Sequence, residues 1–74
     1  MSASEVASAL RVILTLKAAH GALTASEIAG ATQLPHGAVL DALQAAERAG
    51  MVIRLERRPG RPATRFTTTE LAWL

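Results

Sequence analysis

The sequence predicts a mainly α-helical domain with a small β-hairpin close to its C-terminal end. Apolar residues recur at helical spacing in three segments that precede residue 50. From residue 51 onward apolar and polar residues alternate instead, and the run Arg-Pro-Gly-Arg-Pro at 58–62 interrupts the alternation with a turn. A chain of 74 residues has the length of one small domain. We therefore expect residues 1–74 to form a single domain with a three-helix core, a two-stranded hairpin and a short C-terminal helical turn.

The composition argues against several classes of protein. There is no cysteine, so disulfides and thiolate metal sites are excluded, and the cytoplasm is the expected compartment. His20 and His36 are the only imidazoles, which does not suggest a metal site. Arg11, Thr15 and Lys17 interrupt the longest apolar run, which predicts neither a membrane span nor a signal peptide. No catalytic set, phosphate-binding loop or cofactor motif is present, so we expect no enzyme activity and no cofactor.

The first helix is predicted over residues 4–20, where a serine-glutamate capping pattern precedes it and Gly21 follows it. Its apolar arc spans roughly 200°, whereas packing on a single core requires about 100°. Either the domain covers this helix on two sides, or the surplus forms an interface with another chain. We favour a homodimer, with Leu10, Leu14 and Trp73 as the candidate interface residues.

The second helix is predicted over residues 25–31. Thr24 and Glu27 have the spacing of a capping box, in which the hydroxyl accepts from a backbone N–H and the carboxylate accepts from the N-cap N–H. The helix is expected to be short, because Pro35 favours a new helix start.

The third helix is predicted over residues 35–49, with Gly50 as its C-terminal cap. One face carries the apolar residues Val39, Leu43, Ala46 and Met51. A short helix, a tight turn and a longer helix form a helix-turn-helix.

The hairpin is predicted over residues 51–68. Its first strand is expected to be half-buried and to have two sides, formed by Met51, Ile53 and Leu55 and by Val52, Arg54 and Glu56. In the second strand Thr64, Phe66 and Thr68 oppose Arg65 and Thr67. The tail at 69–74 is expected to form one last helical turn.

The charge is distributed unevenly. Residues 1–47 carry a net charge of −2, and residues 48–74 carry a net charge of +4. All cations of the second segment are arginines. A concentration of arginine indicates a polyanionic partner, because guanidinium groups bind phosphate in forked geometry. The alternative is a solvated face that keeps a small protein soluble. The densest cluster consists of Arg57, Arg58, Arg61 and Arg65.

In its order of motifs the chain resembles the winged helix-turn-helix superfamily. The segment LTASEIAG, a turn, a helix ending in ERAGMV, and then GRPATRFTTT are similar to the DNA-binding domains of bacterial regulators of the MarR, IclR and PadR kinds. The resemblance covers nearly the whole chain, and its order and spacing are specific for the fold rather than for one family.

The resemblance implies binding of double-stranded DNA by a transcriptional regulator. The helix at 35–49 would be the recognition helix in the major groove, contacting DNA through His36, Gly37, Ala38, Leu40, Asp41 and Gln44. Contacts to backbone phosphate are implied for Thr24, Ser26, Thr32 and Gln33. The wing would contact the minor groove or flanking phosphates through Arg57, Arg58, Arg61 and Arg65.

The recognition helix departs from this pattern. It has no Lys or Arg before Arg48, and it is expected to expose Asp41 together with Leu40 and Ala45. A carboxylate that faces DNA reduces affinity unless it accepts from a cytosine amino group. The alternative is therefore a protein-interaction module of a replication, recombination or transcription complex, which would bind a protein partner through this face.

Overall fold

The computed structural model describes residues 3–55, 59–60 and 63–73. Within these ranges the chain forms three α-helices, α1 (Ala3–Ala19), α2 (Ala25–Thr32) and α3 (His36–Arg48). It also forms three short strands, β1 (Leu23–Thr24), β2 (Val52–Leu55) and β3 (Arg65–Thr68). A 3-10 helix at Glu70–Trp73 follows β3. This arrangement confirms the predicted fold class, and it adds one strand to the predicted hairpin.

The helix α2 is stabilised by capping interactions at both of its ends. Thr24 and Glu27 form the predicted capping box at the start of α2, since each side chain accepts from the other residue's backbone N–H. At the other end Gln33 has a left-handed backbone conformation with φ of 61°, and its N–H donates to the carbonyl of Ala29. The chain then leaves the helix, and Pro35 begins the next one with an extended backbone.

The end of α3 forms a Schellman motif, as the glycine at residue 50 predicted. Gly50 has a φ of 77°, which glycine adopts without a side-chain clash. The N–H of Gly50 donates to the carbonyl of Glu47, and the N–H of Met51 donates to that of Ala46. The reversal brings the chain directly from α3 into β2.

The sheet is antiparallel with the strand order β1-β3-β2. β3 is central, because Phe66 pairs with Leu23 on one side and with Arg54 on the other. The predicted two-stranded hairpin is thus part of a three-stranded sheet. The additional strand attaches the hairpin to the helix-turn-helix, since β1 is followed at once by α2.

The buried side of β2 is the one that contains Val52. This residue is buried together with Phe66, whereas Ile53 is half-exposed on the opposite face. Met51 packs at the margin of the core because of the turn after α3, and the regular strand begins after it.

The core lies between the three helices and the inner face of the sheet. α1 packs against both other helices and against β3, and α3 packs against β2. Each helix contributes a short apolar face, and the sheet covers one end of the helical layer with Val52 and Phe66. In residues 3–55, 59–60 and 63–73, no helix has the length and apolar character needed to cross a bilayer.

Candidate nucleic-acid interface

The helix α3 begins at His36 without a side-chain cap among the described residues. The carbonyl of Pro35 accepts from Val39, which closes the first turn. Backbone N–H groups in the first turn of a helix have no partner within the helix, and the helix dipole places partial positive charge at this end. The N-terminal turn of α3 is therefore suited to approach negative charge.

The outer face of α3 is a polar stripe. The helix buries Val39, Ala42, Leu43 and Ala46, and the residues opposite them follow each other at intervals of four, three and four. We call these four residues the α3 stripe: Gly37, Asp41, Gln44 and Arg48. All of them are exposed. The structure thus brings three of the six predicted recognition-helix residues into one line, and it adds Arg48, which sequence analysis had not assigned.

The other three predicted residues of α3 lie beside this stripe. His36 and Leu40 are exposed, on the flank that also carries Glu47. Glu47 accepts from Arg54 of β2 at 3.1 Å, so this flank faces the strand that leads into the wing. Ala38 is half-buried on the opposite flank, beside α1.

A groove of about 340 Å³ separates the α3 stripe from the first turns of α1. Ser4, Glu5 and Ser8 form its α1 side, and small alanines of α3 form its floor. Asp41 and Arg48 place opposite charges on its α3 side. The sequence pattern did not identify Arg48 or the two serines as site residues. The helical spacing from Gln44 identifies Arg48, whereas the serines come close only through the packing of α1 on α3.

The four predicted phosphate contacts have different environments. Ser26 and Gln33 are exposed at the two ends of α2. Thr24 is half-buried and caps the helix. Its backbone N–H, and then its side chain, hold the pKa of the Glu27 carboxyl below the usual range, and Arg65 contributes a smaller effect in the same direction.

The prediction that Thr32 contacts phosphate is wrong. Its side chain is buried, with 4% exposure. The hydroxyl donates to the carbonyl of Ile28 at 2.8 Å and accepts from the N–H of Leu34 at 3.3 Å. Its carbonyl also accepts from the guanidinium of Arg11 on α1. Thr32 therefore stabilises the end of α2 and is not available at the surface.

The wing is described in part. Arg57, Arg58 and Arg61 lie outside the described residues, whereas Pro59 and Gly60 form the turn and Gly60 has a φ of 82°. Three of the four predicted wing residues therefore stay predictions.

The fourth predicted wing residue, Arg65, is half-buried on β3. Its Nη2 donates to the carbonyl of Ala22 at 2.9 Å. At least one N–H group of this guanidinium is thus bonded to the backbone just before β1. Arg54, which was not predicted, places its guanidinium carbon 5.4 Å from the ring centroid of Phe66.

Of the candidate dimer residues, Leu10 and Leu14 are exposed on α1. Trp73 is also exposed, but its indole N–H donates to the hydroxyl of Thr68 at 3.0 Å and its ring lies against His20 and Lys17. In the part of the chain that is described, no group of three or more potential ligand side chains could hold a metal ion.

This combination of a capped α2, an exposed α3 and an antiparallel hairpin defines a winged helix-turn-helix domain. The fold is also that of two solved structures. The YusO protein from Bacillus subtilis superposes with a TM-score of 0.75 at 26% sequence identity, and NMB1585, a MarR family regulator from Neisseria meningitidis, with a TM-score of 0.73 at 23% identity. The chain thus has the fold of a MarR family regulator.

Each comparison covers 88% of this chain and 45% of the other, so the chain spans less than half the length of either protein. No protein-family model matches the sequence. No curated protein matches it either.

Proposed function

We propose that this chain binds double-stranded DNA in a sequence-specific manner, as the DNA-binding domain of a small bacterial transcriptional regulator. In this proposal α3 enters the major groove and the arginine-rich wing contacts the minor groove or flanking phosphates. The observation that carries the proposal is the α3 stripe, an exposed polar helix face whose flank adjoins the strand leading into the wing. The fold shared with a MarR family regulator supports the same assignment.

Within the α3 stripe, Gln44 and Arg48 are the side chains best suited to base edges. An amide forms two hydrogen bonds with adenine and a guanidinium forms two with guanine, and each such pair contributes about 1–3 kcal/mol of discrimination. His36, at the uncapped start of α3, is assigned to a phosphate or a guanine edge. The hydroxyl of Ser26 and the amide of Gln33 are exposed and are assigned to backbone phosphate.

Most of the affinity is expected to come from arginine. Arg57, Arg58 and Arg61 of the wing would give about three phosphate contacts, and at roughly −0.9 per contact the slope of log affinity against log salt is expected to be near −3 for one copy. Arg65 contributes less to this slope, because its guanidinium is engaged at Ala22.

Electrophoretic mobility shift on genomic fragments at increasing salt tests the proposal. Changing Arg58 and Arg61 together to alanine should weaken binding to all fragments alike. It should also make the slope of log affinity against log salt shallower by about two. Gln44→Ala should change the ranking of the fragments and leave the slope nearly unchanged. Lys17→Ala is the control, because it also removes a cation but lies on α1 against Trp73.

The second candidate function is docking of a protein partner on the exposed face of α3. It is favoured by Leu40, which is exposed beside Asp41, and by the absence of Lys and Arg from α3 before Arg48. In that case the mobility shift would show weak binding, a shallow salt slope and no preferred fragment. An unchanged fragment preference in Gln44→Ala would show that α3 does not select the sequence.

We also propose that the chain works in the cytoplasm as a homodimer. The lack of cysteine agrees with a reducing compartment. A dimer would place two α3 helices about 34 Å apart, in successive major grooves of a pseudo-palindromic site.

A further inference from the structure

Asp41 is the carboxylate of the α3 stripe and lies in the middle of that exposed face. It follows Gly37 by four residues and precedes Gln44 by three, so the three positions are neighbours on the helix surface. Among the described residues the side chain of Asp41 has no hydrogen-bond or ion-pair partner. Both of its carboxylate oxygens are therefore free to accept hydrogen bonds from a molecule that approaches this face.

Gly37 leaves open space beside Asp41. Its backbone φ is not left-handed, and an added Cβ would meet no atom within 4 Å. Neither the backbone conformation nor the packing of the described chain therefore requires a glycine here, although glycine is less favourable than alanine in a helix. A glycine also lets another molecule come close to the backbone. Such an approach would bring that molecule within reach of the short side chain of Asp41.

The charges around Asp41 do not favour a phosphate group as its partner. Asp41 and Glu5 line the groove between α3 and α1 from opposite sides, and Arg48 is the cation of this lining. A phosphate that approached Asp41 would meet a charge of its own sign, which is unfavourable. The group that contacts Asp41 must instead be a hydrogen-bond donor, because an ionised carboxylate only accepts.

The bases differ in how well their major-groove edges fit a carboxylate. Cytosine presents one hydrogen-bonding group there, the N4 amino group, which is a donor. Guanine presents two acceptors, and thymine presents an acceptor and a methyl group. Adenine presents an amino donor, but the N7 acceptor lies beside it. A carboxylate in the major groove is therefore complementary to cytosine and meets at least one acceptor at each of the other three bases.

We propose that Asp41 is a specificity-determining residue, which accepts a hydrogen bond from the amino group of one cytosine while Gly37 gives that base space to approach. The proposal rests on the DNA binding proposed above and adds the identity of one base in the site. It also explains an acidic residue on a DNA-binding face. The carboxylate lowers the affinity for every other base at this position, and a penalty against wrong partners is one source of specificity.

Selection of bound sequences from random duplexes, followed by fluorescence anisotropy on duplexes that differ at one base pair, tests the role of Asp41. The wild type is expected to select a cytosine at one position and to lose roughly 5- to 150-fold in affinity when another base replaces it. Asp41→Asn presents a donor and an acceptor, so the preference at this position should move from cytosine to adenine. Asp41→Ala should bind the four duplexes with similar affinity.

The matched control is Glu5→Gln, which removes a carboxylate from the opposite side of the same groove and should keep the cytosine preference. If Asp41→Asn bound all DNA more tightly and selected the same sequence as the wild type, the carboxylate would only repel DNA and the proposal would be overturned. A wild type that selects no sequence would overturn the proposed DNA-binding function as well. The selected sequences of the wild type thus distinguish the two failures.

Gly37→Ala tests the space beside Asp41 with two measurements that should change in opposite directions. The temperature of thermal unfolding should rise, because the added methyl group lies in open space on a helix. The affinity for the selected site should fall by roughly tenfold, a loss comparable with one mismatched base pair. Gly30→Ala on α2 is the control, since its added Cβ also meets nothing within 4 Å, and it should raise the unfolding temperature without this loss. An unchanged affinity in Gly37→Ala would overturn the close approach of the base.

Discussion

The guanidinium of Arg65 donates to the backbone carbonyl of Ala22, which lies 43 positions earlier in the chain, with an Nη2–O separation of 2.9 Å. The bond connects the central strand β3 to the segment just before β1. It therefore ties the base of the wing to the start of the helix-turn-helix. This contact assigns Arg65 a structural role that the arginine cluster in the sequence did not reveal.

Arg65→Ala should lower the free energy of unfolding by about 1–2 kcal/mol, because a half-buried bond from a charged donor is lost. Urea denaturation measures the change. Arg48→Ala is the matched control, since this exposed arginine has no hydrogen-bond or ion-pair partner among the described residues and should change stability by less than about 0.5 kcal/mol. Equal stability of the two variants would contradict the structural role of Arg65.

Thr32→Val should also destabilise the fold, by about 1–2 kcal/mol. Valine fills a similar volume but removes the hydroxyl that bonds Ile28 and Leu34. Urea denaturation measures the effect, with the exposed Ser26→Ala as control. The salt slope of DNA binding should not change in Thr32→Val. A shallower slope at unchanged stability would instead restore Thr32 as a phosphate contact.

The elements that the sequence predicted correctly are those with a local signal. The capping box of Thr24 and Glu27 depends on two residues three positions apart, and the end of α3 depends on the backbone freedom of Gly50. Both signals are complete within one turn of chain. The helix-turn-helix could therefore be predicted from short stretches of sequence alone.

The features that the sequence did not predict depend on distant contacts. Strand β1 has two residues, too few to show an alternation, and it exists because Leu23 pairs with Phe66. Which face of β2 points inward depends on how the strand pairs with β3, where Val52 lies opposite Thr68. The alternating pattern in the sequence does not contain this register. The burial of Thr32 also depends on a distant contact. The sequence suggests a surface residue, but its side chain is buried and its carbonyl accepts from Arg11 of α1.

Two glycines should respond in opposite directions to alanine. Gly30 lies inside α2, and an added Cβ would meet nothing within 4 Å, so Gly30→Ala should stabilise the fold by about 0.5–1 kcal/mol. Gly50 has a left-handed backbone, so Gly50→Ala should destabilise it by about 1 kcal/mol although space is available. Thermal unfolding of both variants measures this. A stabilising Gly50→Ala would be incompatible with the Schellman motif at the end of α3.

The capping box should make stability depend on pH in the acid range. Hydrogen bonds from Thr24 hold the pKa of Glu27 below its usual value, so the folded state binds this proton more weakly than the unfolded state does. The stabilisation is therefore fully present above the unfolded pKa of about 4.3, and it is lost as the pH falls through the lower folded value. Wild type should be more stable than Glu27→Gln at neutral pH, and urea titrations from about pH 7 to pH 3 should show this advantage shrinking only below about pH 5. An advantage that stayed constant over the whole range would mean that the charge of Glu27 has no part in the cap.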